Sequence, residues 1–467
     1  MPDYRRRAVR ESMSVRVDVN GMMAEAIADR GVSRDEVDAL AGEAGDAART
    51  LQARRAAGEL PFLDLSQQQQ VLKQITTLAA AVREQLDTLV VLDVGGSAPG
   101  IRALLDALGA GGMRVLLADN IDPWTFGHLL DEIDLTRSAF NVVSRSGETA
   151  ETLAQFLIVR DLLLRTLGAI DYKDHIIVTT DGEAGELRQI VNDEGFRDLI
   201  APPGASGRFS ILNAVSLFPA AAAGIRIADL LAGAVWMDAR TQSPAVWENP
   251  ALLLATLLYL AATRRERNVV VFMPYCDRLH SLAAWFTQLW AESLGKKQDL
   301  IGRQVRSGQT PMAARGATDQ HAMLQLLLDG PHDKVVILLR VEDHEREIAI
   351  PAGYGDLDGV GYLGGHGLGE LLNDEQRATE LALQKQQRMV ITLTLPQLNA
   401  FTMGQLCYLF ATAALLAGTL HGVNPLDQPA IEEGKRLTYG LAGRKGCQEQ
   451  AAEVEAWLAG KRTQYIL

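Results

Sequence analysis

From residue 86 onward, short β-branched runs alternate with amphipathic helical stretches, and this alternation most constrains what the chain can fold into. Leu89–Val94 precedes a helical stretch from Ile101, Val115–Ala118 one from Pro123, Ala139–Val143 one from Thr149, and Ile176–Thr180 one from Glu183. Strands that are apolar throughout need cover on both faces, and a parallel neighbour is reached only through a crossover long enough to hold a helix. The rhythm therefore predicts a parallel sheet with helices on both sides. A helical region, Ile211–Trp236, leads to a second and less regular round. Its expected strands are Val269–Met273, Val335–Val341 and Met389–Leu395, and its helices Pro250–Thr263, His280–Leu294, Ala317–Leu328 and Ala378–Lys385. Residues 20–85 show helical spacing alone, broken at Gly58–Pro61. A single core stops growing near roughly 250–300 residues, and the chain has 467. The expected fold is α/β, with two doubly wound, parallel-rich domains at 86–236 and 237–445. A helical arm (1–85) packs on the second domain, and a C-terminal helix (446–467) follows.

Charge and cysteine content narrow the function classes. Lys and Arg number 45 against 58 Asp and Glu, a net −13, which disfavours nucleic acid as a partner. The same sign argues, taken naively, against a phosphorylated substrate. Cys276, Cys407 and Cys447 lie far apart with no CxxC or Cys/His cluster, so neither a disulfide framework nor a metal site is expected. Five arginines (Arg5, Arg6, Arg7, Arg10, Arg16) open the chain with no apolar run behind them, which reads as a solvated flexible start rather than a secretory signal. The apolar runs 251–262 and 406–420 are shorter than the ~20 residues of a membrane helix and read as buried helices, so no membrane and a cytoplasmic location are expected.

Ligands of open parallel sheets bind at the carboxyl ends of strands, beside helix N-termini. Two loops of the first domain suit that place. Val94-Gly95-Gly96-Ser97-Ala98-Pro99-Gly100 combines glycines that allow close backbone approach with a hydroxyl. Ser144-Arg145-Ser146-Gly147-Glu148-Thr149 offers three hydroxyls, a cation and a glycine ahead of a helix, the ingredients of a phosphate cradle. Either loop alone is equally an ordinary strand-to-helix turn. Further on, Trp285, Leu289 and Glu292 share one helical face, with Gln288 one turn before Glu292. A carboxylate on so apolar a face is expected to be partly desolvated, which raises its pKa and suits a general base; a solvated glutamate near a helix end has the same spacing. His321 begins an amphipathic helix and is of the type suited to moving protons near neutrality. Arg208, in Gly207-Arg208-Phe209-Ser210 after a Pro-Pro-Gly turn, faces either an anion or a structural salt bridge.

Taken together and in order, these segments resemble the glucose-6-phosphate isomerase (phosphoglucose isomerase) family from about residue 60 to 445, in its shorter bacterial form. The resemblance implies sugar-isomerase-type domains and reversible isomerisation of glucose 6-phosphate and fructose 6-phosphate, without metal or organic cofactor. It implies that Gly96 and Ser97 contact the sugar, that Ser144, Arg145, Ser146 and Thr149 hold its phosphate, and that Glu151 lies near the reacting end. Gly207 and Arg208 match the signature whose arginine stabilises the enediolate. Gln288…Glu292-Ser293…Gly295-Lys296 is similar to the segment of the catalytic base, which maps to Glu292. His321 maps to the ring-opening histidine, contributed across a homodimer interface. Asp427-Gln428…Glu432…Lys435 resembles the C-terminal signature, with Gln428 on the phosphate and Lys435 on the ring oxygen. The chain departs from the pattern at Arg145 (usually lysine), Glu148 (usually threonine), Ser206, Ala291, Leu426 and Ala430-Ile431. Alternatives are a broader isomerase that also accepts mannose 6-phosphate, a non-catalytic sugar-phosphate sensor, and an amino-sugar domain suggested by Gly-Glu-Thr.

Overall fold

A computed structural model describes residues 3–64, 68–109, 111–202, 204 and 206–467, which leaves Pro203 of the Pro-Pro-Gly turn outside the described residues. Residues up to Pro425 form one compact unit, and Leu426–Leu467 form a second. The strands are β1 (Arg16–Asp18), β2 (Thr88–Leu92), β3 (Arg114–Ala118), β4 (Ser138–Ser144), β5 (Ile176–Thr180), β6 (Arg197–Ile200), β7 (Val269–Pro274), β8 (Lys296–Gln298), β9 (Gln304–Ser307), β10 (Thr310–Ala313), β11 (Lys334–Asp343) and β12 (Met389–Gln397).

The first sheet runs β3-β2-β4-β5-β6 with every neighbour parallel. Strand order reverses between β2 and β4, so the loops that follow these two strands flank the crevice where such sheets take ligands. The second sheet runs β1-β12-β11-β7-β10, parallel except for β1, which adds antiparallel to β12 through Arg16↔Thr394 and Asp18↔Thr392. Five strands among the described residues have no counterpart in the sequence reading: β1, β6, β8, β9 and β10. All are three or four residues long and too polar to show alternation.

The apolar run 406–420 is the greater part of a 21-residue helix, Ala400–Leu420, whose most apolar window has a mean hydropathy of 1.5 and is 94% buried. Its length matches a membrane span, so burial inside the protein, not shortness, marks it as a core helix. It crosses the helix Ile227–Arg240 closely, and a Cβ on Gly404 would lie 1.9 Å from the Leu230 carbonyl oxygen.

The arginine-rich start is not the flexible segment its charges suggest. Arg7–Ser12 is helical and β1 follows. Tyr4 stacks on Phe401 at 4.2 Å, the Arg10 guanidinium lies 5.0 Å from the centre of the Trp236 ring, and Gln405 clamps the backbone at Met13 and Val15. An aromatic ring, one of the arginines and the backbone dock this segment, which a charge count cannot reveal.

Candidate active site

Three remote segments meet around Arg208 and Glu292. Arg208 lies in the 3-10 turn Gly207–Leu212, and its side chain has no exposed surface. Its Nη1 donates to Glu292 Oε2 at 3.0 Å, its Nε to Ser293 Oγ at 3.0 Å, and its Nη2 to the Pro425 carbonyl at 2.6 Å. Glu292 sits on the helix His280–Leu294, whose Trp285 and Leu289 are fully buried. Trp285 Nε1 donates to the Arg208 carbonyl at 3.0 Å and fixes the turn against the helix. Gln288 Nε2 donates to Glu292 Oε1 at 3.2 Å, so both carboxylate oxygens are held, while the carboxylate keeps 30% of its exposure. The dominant electrostatic neighbour of Glu292 is therefore a guanidinium, not the apolar face that the helical spacing suggested.

The glycine loop after β2 closes on the same place. A Cβ on Gly207 would lie 2.7 Å from the Gly96 carbonyl carbon, and one on Gly96 would lie 3.2 Å from Gln288 Nε2. The two backbones touch because neither residue has a side chain. Gly96, Gly207, Arg208, Gln288 and Glu292 are thus brought together from three parts of the chain, and Ser97 follows on the same loop.

The loop after β4 is built as a hydroxyl-lined turn. Ser144 Oγ and Thr149 Oγ1 are 3.0 Å apart, and the Glu148 N–H donates to Ser146 Oγ at 3.3 Å. Gly147 takes φ +70, a left-handed conformation, and faces the Leu187 N–H, where a Cβ would lie at 3.1 Å. The helix Ala150–Asp171 starts here with no side-chain cap from Thr149, which leaves its first N–H groups turned to this loop. Arg145 is exposed beside Asp181, whose carboxylate is held below its usual range chiefly by the Glu183 and Ala184 N–H groups, with Arg145 adding to the effect. The two candidate loops are tied together by Thr152 Oγ1, which follows Glu151 and accepts from the Val94 N–H at 3.2 Å.

His321 is exposed at the second residue of the helix Gln320–Asp329; the side chain of its neighbour Gln320 donates to Tyr275 Oη at 2.7 Å. Gln428 and Lys435 belong to the second unit, where Lys435 Nζ pairs with Glu432 Oε1 at 2.9 Å on the helix Ile431–Leu441. Among the described residues, no three His, Cys, Asp or Glu side chains gather as a metal site requires.

Sequence reasoning missed Asp93 and Ser293. Ser293 is a fully buried anchor of Arg208. Asp93 is 2% exposed at the end of β2, and its only signal was a carboxylate inside the run Leu-Val-Val-Leu-Asp-Val.

Comparison with known proteins agrees with this architecture. The family model described as phosphoglucose isomerase matches residues 66–346. A glucose-6-phosphate isomerase of Carboxydothermus hydrogenoformans is 38% identical over 95% of this chain and 97% of its own. One of Rubrobacter xylanophilus is 42% identical over 82% and 89%. A crystal structure of a hypothetical protein from Thermus thermophilus superposes with a TM-score of 0.84 at 34% identity, covering 92% of this chain and all of that one. The fold also matches a glucose-6-phosphate isomerase from Chlamydia trachomatis, with a TM-score of 0.73 at 22% identity over 82% of this chain and 76% of that one. With a match over more than half its length and relatives of this similarity over nearly all of it, the chain belongs to the phosphoglucose isomerase family.

Proposed function

We infer that this protein interconverts glucose 6-phosphate and fructose 6-phosphate through a cis-enediol. The observation that carries this reading is the Arg208–Glu292 pair, 3.0 Å apart beside the Gly96–Gly207 contact, in a chain whose relatives are named glucose-6-phosphate isomerases. A carboxylate held by both oxygens yet open to solvent can take a carbon-bound proton from a substrate and return it one carbon away. The guanidinium beside it balances negative charge as that charge moves onto substrate oxygen.

The remaining roles rest on the family resemblance. Ser144, Arg145, Ser146 and Thr149, with Gln428, hold the phosphate at the start of the helix Ala150–Asp171. Gly96, Ser97, Gly207, Gln288 and Glu151 line the sugar. His321 and Lys435 move the proton that opens the ring, and exposed His321 is supplied by the second chain of a homodimer. The protein works in the cytoplasm, with 86–236 and 237–445 as its two isomerase domains.

A coupled assay with fructose 6-phosphate, glucose 6-phosphate and mannose 6-phosphate tests the activity and its breadth. Glu292→Gln is expected to cut kcat by at least about 10²-fold, the usual contribution of a general base, with sugar-phosphate binding kept. Near-normal turnover in that variant would remove Glu292 from the role. Tight fructose 6-phosphate binding without any turnover in the unmodified protein would make it a sensor instead.

A further inference from the structure

We propose that Asp93 is a positioning residue for the sugar loop, orienting the Ser97 hydroxyl and taking up a proton as the sugar phosphate binds. The carboxyl lies close to Gly95 and Ser97. Ser97 hydrogen-bonds to it, and a Cβ on Gly95 would sit 4.0 Å from its Oδ1. Its Oδ2 is buried and has no hydrogen-bond partner in the protein. An ionised carboxylate pays heavily for a buried, unmatched oxygen, whereas the neutral acid carries one proton there and can donate it. Burial accordingly pushes the carboxyl up to about 7, with Asp119 raising it further and the Ser97 hydrogen bond pulling it down.

The surrounding charges do not neutralise it. Asp119 approaches from the end of β3 and is itself paired with Arg102 (2.7 Å) on the helix Ala98–Leu108. The helix Ala150–Asp171 reaches the loop through neutral Thr152, with Glu151 next to it in sequence. Arg145 on the loop after β4 is exposed, and the Arg208 guanidinium is committed to Glu292. A phosphate dianion entering between the β2 and β4 loops therefore meets a like charge whenever Asp93 is ionised. Substrate binding then favours the protonated form, and the proton comes from solvent. This inference rests on the isomerase reading for the identity of the substrate.

The experiment compares kcat and KM for fructose 6-phosphate from pH 6 to 9 in the unmodified enzyme, Asp93→Asn and Ser97→Ala. The amide mimics the neutral acid. KM of the unmodified enzyme is expected to rise across neutrality relative to Asp93→Asn by about tenfold or more, since one like-charge interaction at an effective dielectric near ~20 is worth at least that within roughly 12 Å. The kcat ratio is expected to stay nearly constant. Ser97→Ala removes the bond that favours the ionised carboxyl, so its inflection is expected to move to higher pH. A pH-independent KM ratio or an unmoved Ser97→Ala inflection would overturn the proposal. If Asp93→Asn does not fold, the Ser97→Ala shift decides alone. Absent turnover in the unmodified protein would defeat the isomerase reading rather than this one. In that case, calorimetry at pH 8 in two buffers of different ionisation enthalpy reads proton uptake on fructose 6-phosphate binding directly. Ser97→Ala, with its carboxyl more protonated at that pH before binding, is expected to take up less than the unmodified protein; equal uptake would overturn the proposal.

Discussion

Two buried ionisable groups near the site are handled in opposite ways. Arg208 is fully enclosed, but each of its nitrogens has an acceptor: a hydroxyl, a carboxylate and a carbonyl. Asp93 is almost as enclosed, yet one of its oxygens has no donor. Because the folded-state pKa of Asp93 is raised to about 7 from the ordinary 3.8, the folded chain keeps a proton that the unfolded chain releases near pH 4. Its contribution is fully present below about pH 4 and is lost as pH rises to about 7, on the order of 4 kcal/mol at the limit. His421 acts in the opposite sense, since burial lowers it to about 4 and its penalty is relieved as pH rises toward the ordinary histidine range. Urea midpoints of the unmodified protein and Asp93→Asn at pH 5 and pH 8 separate the two effects. The variant is expected to gain about 4 kcal/mol relative to the parent at pH 8 and less than half of that at pH 5; equal differences at both pH values would mean Asp93 is ionised throughout. Residue types and order made Arg208 and Glu292 legible as candidates. Their contact was not legible, because it spans 84 positions, and the Pro425 anchor spans 217. Asp93 stayed hidden because a strand-end acid reads as solvated until the chain folds over it.

Elements long enough to show a period were readable, and short or polar ones were not. β2, β4, β5 and β7 are buried along nearly their whole length and stand out as apolar runs. β10, with alternating exposure over four residues, owes its place to β7 beside it. Helix crossing is likewise invisible in a helical period but decided by single glycines. At the crossing of Ile227–Arg240 with Ala400–Leu420, a Cβ on Gly233 would sit 1.8 Å from the Phe401 carbonyl oxygen and one on Gly404 1.9 Å from that of Leu230. Both obstacles are backbone, so neither can rotate away. Gly404→Ala is expected to cost about 3 kcal/mol or more, since the helices must part to admit a methyl group. Gly42 lies on the exposed face of the helix Arg34–Ala56 with nothing within 4 Å. There the same substitution is expected to stabilise by about 0.5–1 kcal/mol through helix propensity. Chemical denaturation of the two variants gives the contrast, and a neutral Gly404→Ala would mean the crossing can open freely.

At the scale of the whole molecule, a net charge of −13 is compatible with an anionic substrate because distant carboxylates are screened within about 8–10 Å. The phosphate responds instead to nearby cations and to helix N–H groups. The proposed assembly has a sharper consequence. Glu292 is fixed within one chain by Arg208 and Gln288, whereas His321 is exposed on a helix start and, under the proposed function, serves the partner's site. In a symmetric dimer, each site then takes its base from one chain and its ring-opening histidine from the other. A mixed dimer of Glu292→Gln with His321→Ala would concentrate both defects in one site and leave the other intact. Equal mixing with full exchange makes half of the dimers mixed, so about a quarter of the unmodified activity is expected to return. Either variant alone should stay inactive under the same treatment. Subunit exchange is checked with two distinguishable tags, pulled down in sequence before assay. Recovery near a quarter establishes the shared site; verified exchange with no recovery places His321 and Glu292 in the same chain's site, or leaves His321 outside the reaction.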